Sequence, residues 1–190
     1  MIYALVDHET LQKKGVSLQD LLLRINLLPV PLLQYRNKLG SLLEKQRALE
    51  EIRKYYFGKL IVNDAIELIK YADGLHLGQE DIQGYSEVQS EAVATIREKI
   101  GDKILGLSTH NKVEIEKANR LDIDYIGLGA YRSTGTKRDA KVAGASLLEI
   151  AKLSKHPVAI IGGVCLEDEF EAPIKYKVIG SGLYDAIIHP

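Results

Sequence analysis

The sequence predicts an α/β protein, a compact (β/α)8 barrel of the TIM type, and three observations carry that prediction. Short apolar runs alternate with longer amphipathic segments along the whole chain, the order produced by successive βαβ units. The runs are rich in Ile, Val and Leu and lack polar alternation, as parallel strands buried on both faces do. Eight such runs can be counted, the number that closes a parallel sheet into a barrel rather than leaving it open. At 190 residues the chain is read as one barrel domain spanning 1–190, short enough that loops and helices must be trimmed.

Taken in order, the strands fall at 2–6, 31–35, 59–62, 74–77, 104–107, 125–128, 158–161 and 177–179. Helical patterning fills the intervals at 18–28, 41–56, 86–100, 112–120 and 145–153. In the second of these Leu42, Leu43, Leu49 and Ile52 share a broad apolar face. Only residues 162–176, with Pro173 among them, separate the last two strands. That interval predicts a seventh helix cut to one turn or replaced by irregular chain. The eighth helix is expected to be short too, because the chain stops at Pro190.

Bulk properties narrow the function. The formal net charge is −1 with both signs interspersed, so no nucleic-acid surface is expected. No apolar run approaches membrane-spanning length, and residues 1–7 lack the basic start and long apolar core of a signal peptide. Cys165 is the single cysteine, which rules out an intramolecular disulfide and agrees with a cytoplasmic location. A homo-oligomer is compatible with all of this.

The polar clusters gather at one place, the C-terminal ends of the strands, which carry the active site in this fold. Gln34, Arg36 and Lys38 are spaced by two, so an extended backbone sends all three side chains to one face. A guanidinium fork and an ammonium suit a polyphosphate; a solvated edge segment is the alternative. Asn63 and Asp64 end the third strand and Asp81 follows the fourth. Two aspartates at adjacent strand ends can share Mg2+, which prefers oxygen ligands and bridges to phosphates. Asp64 could instead cap a helix, and Glu80 rivals Asp81 on composition. Ser108 can donate to a ligand, or Ser108 or Thr109 can cap the following helix. His110 is a candidate base or a structural histidine, and His76 lies within a strand as core or supporting residue. Residues 125–137 run from an apolar strand through Gly127 and Gly129 to Thr134, Thr136 and Lys137, donors and a cation that can wrap a phosphate. Gly162–Gly163 and Gly180–Ser181–Gly182 follow the last two strands, where this barrel builds its phosphate site. Two anion sites emerge: Arg36, Lys38, Lys137 and a metal for a diphosphate, and the glycine clusters for a monophosphate. A diphosphate leaving group beside a phosphorylated acceptor implies a transferase.

The same residues resemble thiamine phosphate synthase and its relatives, the thiazole tautomerases. The resemblance runs nearly end to end, through Gln34-x-Arg36-x-Lys38, Ile61–Asp64, Asp73–Asp81, Gly106–His110, Tyr125–Gly127, Thr134–Lys137 and Ala159–Val164. It implies coupling of 4-amino-2-methyl-5-hydroxymethylpyrimidine diphosphate to a thiazole phosphate, carboxylated or not, giving thiamine phosphate and pyrophosphate. It implies that Gln34, Arg36, Lys38, Asn63 and Lys137 bind the pyrimidine diphosphate, with Ser108 at the pyrimidine, and that Asp64 and Asp81 hold Mg2+. Thr134, Thr136, Gly163, Gly180 and Ser181 match the thiazole-phosphate site. Arg36, Lys38, Lys137 and Ser108 are the residues expected to act on the reacting groups. The alternatives are a thiazole tautomerase of the same family, an isomerase acting through His110 without the diphosphate machinery, and a non-catalytic barrel that binds a phosphate ligand.

Overall fold

The computed structural model describes residues 1–132 and 144–185. Eight parallel strands close into a barrel in sequence order: β1 (Ile2–Asp7), β2 (Leu32–Arg36), β3 (Lys59–Asn63), β4 (Gly74–Leu77), β5 (Ile104–Thr109), β6 (Tyr125–Leu128), β7 (Val158–Ile160) and β8 (Ile174–Ile179). The ring is completed where β8 pairs with β1, Tyr3 lying opposite Val178. Helices α1 (His8–Lys14), α2 (Leu18–Ile25), α3 (Leu42–Tyr55), α4 (Gln79–Gln83), α5 (Gln89–Ile100), α6 (Lys112–Ala118), α7 (Ala145–Ala151) and α8 (Gly182–Asp185), with a 3-10 helix at Ile66–Tyr71, occupy the connections. This is the (β/α)8 barrel expected from the alternation. Among the described residues no helix is long and apolar enough to cross a membrane.

The two-residue period of each strand divides the core into two layers. Ala4, Val6, Leu33, Tyr35, Leu60, Val62, Ile126, Leu128, Val158 and Ile160 face outward and pack beneath the helices. Tyr3, Leu32, Ile61, Tyr125, Ala159 and Val178 alternate with them and fill the barrel interior. Three tyrosines, Tyr3, Tyr125 and Tyr176, meet edge to face there with ring centroids 5.8–6.3 Å apart. Their bulk needs room from a neighbour. Gly106 on β5 lies opposite Tyr125 on β6, and a Cβ on Gly106 would stand 2.2 Å from the Tyr125 ring.

Side chains set the helix starts. Ser41 caps α3 in a reciprocal box with Glu44: its Oγ accepts from the Glu44 N–H at 3.3 Å, and the Glu44 carboxylate accepts from the Ser41 N–H at 2.7 Å. Asn111 caps α6 with Oδ1 accepting from the Glu114 N–H at 3.0 Å, while the Glu114 carboxylate accepts from the His110 N–H at 2.8 Å. At the opposite end of the barrel one device occurs twice. Arg53 of α3 pairs with Asp73, which also accepts from the Leu60 N–H of β3. Arg97 of α5 pairs with Asp124, which accepts from the Leu105 N–H of β5. Each aspartate precedes a strand and ties it to the previous strand and to a helix.

The helix expected at 18–28 ends at Ile25, and the one expected at 86–100 begins at Gln89. Helices α1 and α4 and the 3-10 helix were not legible: α1 and α4 each bury a single residue, Leu11 and Ile82, and one apolar position shows no period. Strand β8 starts at Ile174, three residues before its expected beginning. Between β7 and β8 the chain carries no helix, as its shortness implied. Arg132 clamps that stretch with a bidentate pair to Asp168, at 2.6 and 2.9 Å. Lys177 of β8 donates from beneath to the Leu166 and Asp168 carbonyls.

Replacing Gly106 with Ala should therefore force the Tyr125 ring aside and destabilise the barrel by about 1–3 kcal/mol. Chemical denaturation measures this; an unchanged midpoint would mean that the ring has free space to move into.

Candidate active site at the barrel mouth

A cavity of about 860 Å3 opens at the C-terminal ends of the strands. Its floor is the tyrosine layer, and its wall is built strand by strand from the residues that follow in the inward register. On β2 the inward register continues from Leu32 through Gln34 and Arg36 to Lys38, and all three polar residues line the cavity. Asn37, between them, is buried; its Oδ1 accepts from the Gly40 N–H at 2.7 Å and folds the loop back, leaving Lys38 at the rim.

Arg36 is held by a residue that sequence reasoning missed. Asp7, at the end of β1, is 3% exposed. Its Oδ1 accepts from Arg36 Nη1, while Oδ2 accepts from the Thr10 N–H and hydroxyl at 3.1 and 2.7 Å. Glu9 stands 3.6 Å from the same guanidinium, and its Oε1 is buried without a partner among the described residues. The available signal was an aspartate at the end of an apolar strand, the pattern that singled out Asp64.

Asn63 and Asp64 lie where β3 ends. Asp64 adopts a left-handed backbone, φ 61°, a conformation aspartate tolerates better than most side chains. It does not cap the following 3-10 helix, whose N-cap is Ala65. Its carboxylate accepts from Asn63 Nδ2 and faces Asp81. Burial first, and the like charge and hydrogen bond of Asp81 next, raise the Asp64 pKa to about 6, while Lys38 and Asn63 pull it down. Asp81 sits in the first turn of α4 with Oδ2 accepting from the Gly78 N–H at 3.1 Å. Asp81 lines the cavity and Glu80 does not. Two facing carboxylates, one of them driven toward protonation, form an oxygen-only donor set that suits a hard divalent cation with positions left for water and phosphate oxygens. Among the described residues no group of three or more potential metal ligands occurs.

On the next two strands of the ring, His76 on β4 and Ser108 on β5 both line the wall, with Ser108 Oγ and His76 Nε2 2.9 Å apart. Neither Ser108 nor Thr109 caps α6: Thr109 donates to the Gly127 carbonyl at 3.0 Å, and the cap is Asn111. His110 is at the rim, 47% exposed and 3.0 Å from Glu114. The hydroxyls of Tyr3 and Tyr125, also missed from sequence, extend the polar wall into the floor. Tyrosines in apolar strands read as core, and nothing in a linear pattern reveals which hydroxyl meets which.

Gly163, Gly180 and Ser181 line the remaining side. Gly162 and Gly163 both have positive φ, 100° and 58°. The carbonyls of Ile161, Gly162 and Gly163 are taken by Tyr131 N, Arg132 N and Arg132 Nη1 at 2.8–2.9 Å. A glycine pair of this conformation can turn backbone N–H groups toward an anion. Thr134, Thr136 and Lys137 lie outside the described residues.

Comparisons with known proteins place the chain in a family. The thiamine monophosphate synthase family model matches residues 2–178. The thiamine-phosphate synthase of Persephonella marina is 39% identical over 139 residues, covering 70% of this chain and 62% of that protein. That of Bacillus licheniformis is 38% identical over 136 residues, covering 69% and 57%. The matched stretch thus spans about three fifths of these relatives' own length. Among solved structures, the thiamine phosphate pyrophosphorylase from Pyrococcus furiosus superposes with a TM-score of 0.72 at 19% identity, covering 98% of this chain and 95% of that one, a likeness of fold. With the family model matched over residues 2–178, the chain belongs to the thiamine monophosphate synthase family.

Proposed function

We propose that this protein is a thiamine phosphate synthase, joining 4-amino-2-methyl-5-hydroxymethylpyrimidine diphosphate to a thiazole phosphate with release of pyrophosphate. One observation carries the reading. Two cations, Arg36 and Lys38, and two carboxylates, Asp64 and Asp81, line one cavity together with Gln34, Asn63 and Ser108. A tautomerase has no use for that diphosphate-binding set, and a passive phosphate-binding barrel has no use for a cation pocket beside it.

In this reading Arg36 and Lys38, with Lys137 from the β6–α7 connection, hold the diphosphate and stabilise the charge it gathers on leaving. Asp7 keeps the Arg36 fork aimed. Asp64 and Asp81 would hold Mg2+, which when bound neutralises phosphate oxygens as the diphosphate departs. Gln34, Asn63 and Ser108 bind the pyrimidine, whose ring amine stabilises the methylene cation left behind. Gly163, Gly180 and Ser181, with Thr134 and Thr136, hold the thiazole phosphate so that the thiazole nitrogen faces that carbon. No strong protein base is needed, so His110 is free to stay at the rim with Glu114. Positioning of the two substrates supplies much of the rate. The substrates are small molecules, and a cytoplasmic location accords with them.

The deciding experiment mixes protein, Mg2+ and the two substrates and follows thiamine phosphate and pyrophosphate together. Equal amounts of both, lost on chelation, are expected. Isomerisation of the thiazole carboxylate in place of coupling would identify the tautomerase instead.

Asp64→Asn and Lys137→Ala are each expected to lower turnover by roughly 100-fold or more with an unchanged circular dichroism spectrum. Near-normal rates in either would overturn the site. Asp7→Asn keeps the shape but loses the charge that aims Arg36. It should raise KM for the pyrimidine diphosphate by roughly 10-fold, the scale of one charge-assisted hydrogen bond, while KM for the thiazole phosphate stays constant. The pH dependence of stability follows from Asp64, raised from 3.8 to about 6. Between those values the folded state holds a proton that the unfolded state has lost. The metal-free protein should therefore lose stability as pH rises from about 4 to about 6. Thermal melts should show that fall, its absence in Asp64→Asn, and its reversal by Mg2+ above pH 6.

A further inference from the structure

Seven polar side chains from the ends and interiors of six strands are joined by six hydrogen bonds into one line that crosses the barrel interior from β1 to β6 and returns to β5: Asp64, Asn63, Gln34, Tyr3, Tyr125, His76 and Ser108. The four central contacts, Gln34 Nε2 to Asn63 Oδ1, Tyr3 to Gln34 Oε1, Tyr3 to Tyr125 and Tyr125 to His76 Nδ1, measure 2.7, 2.9, 2.8 and 2.9 Å. Tyr3 and Tyr125 are buried to 2% exposure or less, so these hydroxyls and their partners must satisfy one another.

The donor inventory of each group fixes the direction of the line. A carboxylate oxygen accepts, so Asn63 presents its Nδ2 to Asp64 and its Oδ1 to Gln34. Gln34 must then present Nε2 to Asn63 and Oε1 to Tyr3. Tyr3 has one proton and gives it to that oxygen, so between the two tyrosines Tyr125 is the donor. The single proton of Tyr125 is thereby spent, and its oxygen can only accept from His76 Nδ1–H. In a neutral imidazole with Nδ1 protonated, Nε2 carries the lone pair, and Ser108 at 2.9 Å must donate to it. Every proton along the line points toward Asp64.

We propose that this line is an orienting relay: Asp64 at its β3 end fixes His76 as the Nδ1–H tautomer and turns Ser108, at its β5 end, into a hydrogen-bond acceptor for the ligand. Ser108 has one proton and has spent it, so a group docking against its Oγ must bring an N–H or O–H of its own. Tyr3, Tyr125 and His76 are positioning residues in this scheme. For the aminopyrimidine of the proposed reaction, on which this last step rests, the matching group is an N–H.

The test is nitrogen NMR of the substrate-free protein labelled at histidine, with the His76 signals identified by their loss in His76→Asn. Wild type should show Nδ1 protonated and Nε2 bare. In Tyr3→Phe the Tyr125 proton loses its acceptor and can turn toward His76, so the tautomer should move to Nε2–H. Tyr125→Phe, which removes the acceptor of Nδ1–H directly, should do the same if Tyr3→Phe fails to fold. A wild-type Nε2–H tautomer, or a tautomer that ignores the tyrosine substitutions, overturns the relay. A second arm compares binding of the pyrimidine diphosphate with that of its analogue lacking the amino group. The analogue should bind at least about 10-fold more weakly, and equal binding would overturn Ser108 as acceptor. The predicted tautomer in a protein without turnover would uphold the relay while removing the proposed reaction, so the two fail separately.

Discussion

Closure of the parallel sheet in strict period-two register is the constraint on which the rest depends. Once β8 pairs with β1, alternate residues of every strand are committed to an interior too narrow for anything but packed side chains. Apolar residues and three tyrosines fill its lower part. The next inward positions on β2, β3, β4 and β5 then have no room to go but upward, and they carry Gln34, Asn63, His76 and Ser108. The site is where the packed interior ends and polar side chains in the same register begin. A shift of one residue in any of these strands would bury the charge and expose the core.

Much of this was legible because period two is a local property. Arg36 and Lys38 share a face with Gln34 by arithmetic alone, and the structure has all three lining one cavity. The eight strands were legible because both of their faces are buried, which leaves unbroken apolar runs. Illegible were the pieces whose meaning depends on tertiary neighbours. Asp7 reads as a strand end until Arg36 arrives from the adjacent strand. Glu80 and Asp81 are equivalent in composition, and the start of α4 at Gln79 decides that Asp81, held by the Gly78 N–H, faces the cavity. Tyr3 and Tyr125 are 122 residues apart in sequence and share a hydrogen bond. Helices α1 and α4 escaped because each buries only one apolar residue, and a period needs at least two to register.

The charges of the site are not balanced pairwise. Arg36 is already committed to Asp7 and stands near Glu9, whereas Asp64 and Asp81 face each other with Lys38 as the moderating cation. The mouth therefore has a guanidinium pre-aimed by a buried anion on one strand and an excess of negative charge on the next two. A ligand that brings both phosphate oxygens and a divalent cation relieves both conditions at once. Either component alone relieves only one, which makes the two mutually dependent in binding.

The stretch between β7 and β8 has a different consequence. Elsewhere a helix buries an apolar face against the barrel, so the connection can leave only by exposing that face. Here the chain is held by the Arg132–Asp168 pair and by Lys177 reaching two carbonyls. With Val164, Leu166 and Phe170 as its apolar anchors, the segment buries less than a helix face would, so it should open at a lower free energy than the helical connections. The glycine turn at its start inherits that softness. One wall of the cavity can breathe while the opposite wall, anchored in the hydrogen-bonded floor, stays fixed.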